Sequence, residues 1–243
     1  MKINENLRLI LRDTYLYDIE ACHYTILKNL GYDLTGIEKD NKLQRNIQIG
    51  QMMRKNPKLT SLLRGTTTSI IDEYILRNQI KDDDIVIRQY DGIITTRRLH
   101  ETKLHNIPLD IRKHFEIFIA SFDRSKYIAL DSSKEVTIKG ISSRYDEMDQ
   151  IYKRICLINF ANKLTIFSRL QQIKDDLLES SNPMLFAVPT KKDKFNIYLK
   201  GYGELEVSKQ TLKIMDTDDI DKSRYFDFYL KPFTKSIVIE YVR

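Results

Sequence analysis

The stretch that most constrains this chain is IVIRQYDGIITTR, residues 85–97, where two apolar, β-branched arms flank Asp91-Gly92. An Asp-Gly pair between such arms is a strong local signal for a β-hairpin, because both residues tolerate a tight reversal while the arms suit half-buried strands. It commits the middle of the chain to antiparallel sheet and puts Asp91 at the hairpin tip. A second strand is predicted at Thr14–Ile19 (TYLYDI), with Asp18 at its end and a turn leading into a helix over Ala21–Leu30 that Gly31 stops.

The remaining pattern mixes the two periods. Lys42–Met53 reads as a helix that Pro57 ends or restarts, and apolar residues at 59, 62, 63, 70, 71, 74 and 75 form a buried helical stripe within Leu59–Asn78. After Pro108, IRKHFEIFIASF fits either helix or strand. Lys126–Ile141 alternates like two paired strands around Asp131-Ser132-Ser133, Asp146–Ser180 reads as one or two helices, and Met184–Val207 and Tyr225–Val242 read as β-rich. Strands and helices are segregated rather than regularly alternating, which gives an α+β class.

Composition narrows the function classes. Of 243 residues, 42% are hydrophobic, 30% charged and only 13 Gly or Pro (8 + 5), which is the make-up of a folded domain. Two cysteines, Cys22 and Cys156, cannot build a disulfide framework or a Cys-rich zinc site. The start, MKINENLRLILRD, lacks the uninterrupted apolar core of a signal peptide, and no stretch reaches membrane-spanning length. A cytoplasmic protein without a membrane partner is expected. The 40 basic and 34 acidic residues leave a formal charge of +6. The interval Lys39–Gly65 alone holds Lys39, Lys42, Arg45, Arg54, Lys55, Lys58 and Arg64 against Asp40, an excess of 7 − 1 = 6 that equals the total for the whole chain. Such a local field suits phosphate, and a solvated helix face has the same composition.

Asp18 and Asp91 stand out among the acids. Carboxylates on neighbouring strand ends can hold two Mg²⁺ ions about 3.5–4 Å apart, the geometry of two-metal phosphoryl transfer, and the basic interval between them in sequence suits a polyphosphate. Taken singly, Asp91-Gly92 also fits an ordinary turn and Asp18 a helix N-cap. His100, His105 and His114 lack metal-ligand spacing and read as surface or structural residues.

Taken in order, these segments resemble the palm and thumb of a family B DNA polymerase. Asp18-Ile19-Glu20-Ala21-Cys22-His23-Tyr24-Thr25-Ile26 is similar to the family's strand-end aspartate followed by Ser-Leu-Tyr-Pro-Ser, keeping the aspartate and its strand-to-helix setting and not the wording after it. Lys42-Leu43-Gln44-Arg45-Asn46-Ile47-Gln48-Ile49-Gly50 keeps the lysine, asparagine and glycine of Lys-x-x-x-Asn-Ser-x-Tyr-Gly at the family's spacing. Gln89-Tyr90-Asp91-Gly92 resembles Asp-Thr-Asp-Ser, with Gln89 in place of the first acid. Arg124-Ser125-Lys126-Tyr127 resembles the Lys-Lys-Arg-Tyr element, and Lys139-Gly140-Ile141 with Arg144 and Asp146 resembles the Lys-Gly-Ile…Arg-Arg-Asp element. Tyr225–Pro232 is weakly similar to the end-of-thumb Tyr-Tyr…Pro pattern. Leu62–Ile71 also echoes the Gln-Gly-Thr helix of family A polymerases.

The resemblance implies a polymerase-type palm over residues 1–30 and 66–123, minimal helical fingers over 31–65, and duplex-gripping strands with a mixed helical and β thumb over 124–243. It implies a template-directed DNA polymerase of phage or plasmid type that extends a primer with nucleoside triphosphates. Asp18, Asp91 and the Ile19 backbone carbonyl would hold two Mg²⁺, with Mn²⁺ as a substitute. Lys42, Arg45, Asn46, His23 and Gly50 would bind the nucleotide, and Arg124, Lys126, Tyr127, Lys139 and Arg144 the primer-template. Only 17 residues precede Asp18, so proofreading is expected to be absent or supplied by a partner chain, and 23 residues between Asp18 and Lys42 leave very short fingers. His23 stands where the family has the tyrosine that excludes a 2′-hydroxyl, which implies relaxed sugar selection and a primase-like role as one alternative. Gln89 motivates the others: a non-catalytic nucleic-acid-binding subunit or one part of a split polymerase.

Overall fold

The structure is a computed structural model that describes residues 9–141, 146–158, 162–191 and 193–242. The fold is α+β. The chain separates into two compact units, Asp13–Phe115 and Met1–Arg12 with Glu116–Arg243, and each is built around its own buried cluster.

In the first unit, β1 (Ile10–Asp18) ends where α1 (Cys22–Asn29) begins, joined through Ala21 in a left-handed conformation at φ 48°. Ala21, not Asp18, is the residue that caps α1, and it does so without a side-chain hydrogen bond. The predicted helix at Lys42 is α2 (Lys42–Lys55), capped by Asn41, whose side chain accepts from the Gln44 N–H. Asn56 caps α3 (Pro57–Arg77), so Pro57 restarts the helix at a position where its missing N–H is harmless. Most of the 59–78 stripe is buried: Leu59, Leu63, Ile70, Ile71 and Tyr74 pack against Tyr17, Ile26, Leu27 and Ile93, with Ile75 partly buried, while Leu62 falls off that face and is exposed.

The predicted hairpin is β2 (Ile85–Arg88) and β3 (Gly92–Thr95), and β3 also pairs antiparallel with β1 in the register Tyr15↔Thr95 to Asp18↔Gly92. Gly92 is not required for a turn angle, since its φ is not positive. A Cβ there would stand 2.1 Å from the Tyr17 carbonyl oxygen and 3.2 Å from the Asp18 Cα. The glycine is the condition for two backbones to close on each other. A short hairpin, β4 (Lys103–Leu104) and β5 (Ile107–Pro108), was not visible in the pattern. Its turn residues, His105 and Asn106, both have positive φ, and Leu104 N–H donates to the buried Tyr74 hydroxyl at 2.8 Å. The ambiguous segment after Pro108 is a strand, β6 (Asp110–Ala120). The largest sheet has six strands in the order β2-β3-β1-β6, then β7 (Tyr127–Asp131) and β8 (Val136–Lys139).

In the second unit, β7 and β8 pair antiparallel as predicted, with Tyr127 opposite Lys139. The predicted long helical region is two helices, α4 (Asp146–Leu157) and α5 (Lys163–Glu179), followed by a three-stranded sheet of β9 (Val188–Lys191), β10 (Lys194–Leu199) and β11 (Gly203–Ser208) and the short α6 (Lys209–Lys213). The β-rich expectation for Tyr225–Val242 is overturned. This segment is helical: α7 (Lys222–Tyr225), a π-helical turn at Phe226–Leu230, and α8 (Lys231–Val242). Its buried hydrophobic residues, Tyr225, Tyr229, Leu230, Phe233 and Ile237, are spaced 4, 1, 3 and 4 positions apart, so a helical burial period overrode a composition of aromatic and β-branched residues.

Gly92→Ala is expected to destabilise the protein by about 1–3 kcal/mol, the usual range for forcing atoms into a filled space. Gly36→Ala tests a different cost, because Gly36 has open space but a positive φ. Denaturant midpoints for both variants check this, and a neutral Gly92→Ala would remove the close-approach argument.

Candidate active site

A cavity of about 570 Å³ lies in the first unit between the end of β1, the start of α1, the β2–β3 tip and one face of α2. Its strand walls are Asp18, Ile19, Tyr90 and Asp91, and its α1 wall is Cys22, His23 and Tyr24. From α2 come Lys42, Arg45, Asn46, Ile49, Gly50 and Met53. These are spaced 3, 1, 3, 1 and 3 residues apart, a single helical face.

The register of β1 on β3 puts Asp18 opposite Gly92, and the Ile19 N–H donates to the Asp91 carbonyl at 2.9 Å. The two candidate carboxylates therefore leave adjoining backbone segments at one end of the sheet. Arg112, on β6, lies with Nε 3.9 Å from the Asp18 carboxylate, and both side chains are about one-third exposed. Sequence reading missed this arginine, which is 94 positions away and sits in a segment whose secondary structure was ambiguous.

A second missed feature runs from α1 to α3. His23 Nε2 is 3.3 Å from the Tyr90 hydroxyl, with the rings edge to face at 5.7 Å, and the Thr67 hydroxyl reaches the Tyr90 oxygen at 3.4 Å. Thr67 also donates to the Leu63 carbonyl at 2.7 Å and lies 3.7 Å from the Cys22 sulfur. Burial lowers the His23 pKa while Asp91 opposes that shift, so the ring is held toward its neutral form. Burial pushes the Cys22 thiol up to about 12, against the Thr67 hydrogen bond and with help from Asp91 and Asp18, so it is not a nucleophile near neutral pH.

The basic interval is divided by the fold. Lys42 and Arg45 face the cavity, and the Arg45 guanidinium also donates to the Lys39 carbonyl. Lys39 itself pairs with Glu20 at 2.5 Å, holding the Glu20 carboxyl below its usual range. Arg54, Lys55, Lys58 and Arg64 are exposed and lie off the cavity. Gly50 has open space where a Cβ would be.

Hard oxygen ligands at Asp18 and Asp91 suit Mg²⁺, which is commonly held by one or two carboxylates with water and substrate phosphate completing its shell. Among the described residues no group of three or more His, Cys, Asp or Glu forms a metal cluster. Two carboxylates are a donor set of the size with which Mg²⁺ is commonly held.

The residues predicted to hold nucleic acid lie in the second unit. The loop carrying Arg124 and Lys126 is knotted around Asp123, which accepts from the Ser121 hydroxyl at 2.6 Å, the Ser125 N–H at 3.0 Å and the Ser125 hydroxyl at 2.8 Å. Arg124 has a positive φ of 55°, and Gly140, at φ 78°, would with any Cβ meet the Ser125 carbonyl at 2.5 Å and the Lys126 Cγ at 2.8 Å. Lys139 is exposed and Lys126 half-buried. Tyr127 is buried, its ring 4.7 Å from Phe118, so it supports the strand and offers little surface. Arg144 lies outside the described residues.

Those three hydrogen bonds hold the Asp123 carboxyl down from 3.8 to about 2. A depressed carboxyl contributes stability that is full above its unfolded value and lost as pH falls through its folded one. Asp123→Asn is therefore expected to flatten the acid limb of stability between pH 3.8 and about 2. Unfolding curves across that window check it, and an unchanged limb would show that the knot does not persist in solution.

Among the described residues no helix is long and apolar enough to cross a membrane. No curated protein sequence matches the chain. Among solved structures the chain is similar to the family B DNA polymerase of the hyperthermophilic archaeon Pyrobaculum calidifontis, with a TM-score of 0.49 and 9% identity. That match covers 97% of this chain and 46% of the polymerase, so this chain spans about half of that one's length. The model of the family described as Bacteriophage PBS1 gene 130 protein matches residues 15–215, and the chain belongs to that family.

Proposed function

We propose that the protein is a template-directed nucleotidyltransferase that extends a primer 3′ end with nucleoside triphosphates, acting in the host cytoplasm. The observation that carries this reading is the convergence of Asp18, Asp91, Lys42 and Arg45 on one cavity. Asp18 and Asp91 would hold Mg²⁺, which when bound would supply acidification of the primer hydroxyl and neutralisation of the leaving pyrophosphate.

The chain's own groups do the rest. Lys42 is the first residue of α2, so its ammonium adds to the positive end of the helix dipole where a triphosphate would lie. Arg45, one turn on, is steadied by the Lys39 carbonyl and can donate to phosphate oxygens without first being ordered. Toward the far end of the stripe, Ile49, Gly50 and Met53 present a mostly apolar surface for a flat base. The Tyr90 contact tethers the His23 imidazole at the sugar position. Lys126 and Lys139 would hold duplex backbone without regard to sequence, with Tyr127 as the buried anchor of their strand pair.

Asp18→Asn and Asp91→Asn are each expected to cut Mg²⁺-dependent primer extension by about 10³-fold or more while leaving duplex binding largely intact. Deoxy- and ribonucleotides run in parallel test sugar selection at His23. Normal extension by either variant would remove the metal-site assignment, and binding without extension by the native chain would favour a non-catalytic or split-polymerase subunit. Gly50 offers an independent check. Gly50→Ala and Gly65→Ala both place a methyl in open space on a helix and should each raise stability by about 1 kcal/mol. Only Gly50→Ala should weaken nucleotide binding, as read by titration, because only Gly50 lines the cavity.

A further inference from the structure

A second cavity, of about 650 Å³, lies in the other unit and has no part in the reaction above. It is lined by Val188, Tyr198, Glu204, Arg224, Tyr225, Asp227 and Phe228, and its size falls within the range of small-ligand pockets. Its walls are dominated by π-surfaces. The Arg224 guanidinium lies over the Tyr198 ring, 4.8 Å from the centroid, and Tyr225 meets Tyr198 edge to face at 6.1 Å. Phe228 is 40% exposed.

The backbone that builds one wall is unusual. Asp227 and Phe228 belong to the π-helical turn between α7 and α8. Single π-turns are rare and frequent at functional sites, and the extra residue shifts side chains out of the helical order. Here the turn delivers a carboxylate and an aromatic ring to the same cavity. The carboxylates are already partnered: Asp227 with Lys231 at 3.2 Å and Glu204 with the Asn196 amide at 2.5 Å. They are acceptors that disfavour phosphate inside the cavity and can receive donors from the edge of a base.

One wall of the cavity also lies against a residue of the proposed grip on nucleic acid. The Lys126 ammonium stands 5.5 Å over the Phe228 ring. A phosphate held by Lys126 would have its neighbouring base within reach of the aromatic wall. We propose that this cavity takes an unpaired nucleobase of a single strand, stacked on the aromatic and guanidinium surfaces with its backbone outside. This rests on the reading of the protein as a nucleic-acid enzyme and adds a second contact point to it.

The test uses the full-length chain, a short fluorescein-labelled single strand, a strand of equal length carrying abasic sites, and a duplex, each followed by anisotropy. The native protein is expected to bind the base-bearing strand about 10-fold more tightly than the abasic one, as expected for base–aromatic stacking. Tyr198→Leu should remove that preference while leaving abasic-strand and duplex binding unchanged. Arg224→Gln, at a side chain 61% exposed, should reduce it without any question of folding. Equal binding of both strands by the native protein, or a preference that survives both substitutions, overturns the inference while duplex binding stands. Loss of duplex binding as well would overturn the nucleic-acid reading with it.

Discussion

The close approach of β3 to β1 at Gly92 is the constraint on which the candidate site depends. A side chain at that position would meet the Tyr17 carbonyl at 2.1 Å, so only glycine permits the register that sets Asp18 opposite residue 92. The Ile19 N–H bond to the Asp91 carbonyl then continues the ladder one step past the strand. Beyond it the chain must turn away, and Ala21 takes a left-handed conformation that a residue with a Cβ adopts only at some cost. The hydrophobic cluster around Tyr17, Ile26, Leu63 and Ile93 holds both features in place. Strain and close contact are thus located beside the two carboxylates, where precise placement has chemical value.

Electrostatics around Asp18 include a partly exposed arginine. Arg112 approaches Asp18 only to 3.9 Å and both side chains are about one-third exposed, so it moderates the local negative charge as a partly hydrated partner. The neighbouring polar side chains are tuned the other way. His23 is held toward neutrality and Cys22 is kept as a thiol, which leaves Lys42 and Arg45 as the cations of the cavity wall. The overall excess of six charges is therefore a poor guide to the site. Lys39 is taken up by Glu20, and four of the seven cations in the basic interval point elsewhere.

What could be read from the sequence follows from range. Asp18, Asp91 and the α2 face were legible because each signal lies within a few residues: a strand end, a hairpin tip, a helical period. Arg112, and the contacts linking His23 to Tyr90 and Thr67, were not, because the partners are separated by 94, 67 and 23 positions and meet only through strand pairing and helix packing. Tyr127 was misleading in another way. The resemblance implied contact with primer-template beside Arg124 and Lys126, while β7 is buried on both faces from Tyr127 to Leu130. In Tyr225–Val242 the composition suggested strand, and the π-turn disguised the helical period by inserting one extra residue between Tyr225 and Leu230.

The face of α2 carries directional information that no single residue holds. Its N-terminal end offers Lys42, Arg45 and the positive end of the helix, and its middle offers Ile49 and the bare backbone of Gly50. Over about eight residues, or roughly 12 Å at 1.5 Å per residue, the wall changes from anion-binding to apolar. A ligand with a charged tail and a flat, weakly polar head fits such a gradient in one direction only, because reversing it would bury phosphate against Ile49 and leave Lys42 facing a base. The carboxylates at the strand ends line the same cavity. For the nucleotide proposed above, orientation would therefore be set before any metal or template is considered, by the order of residues along fourteen positions of one helix.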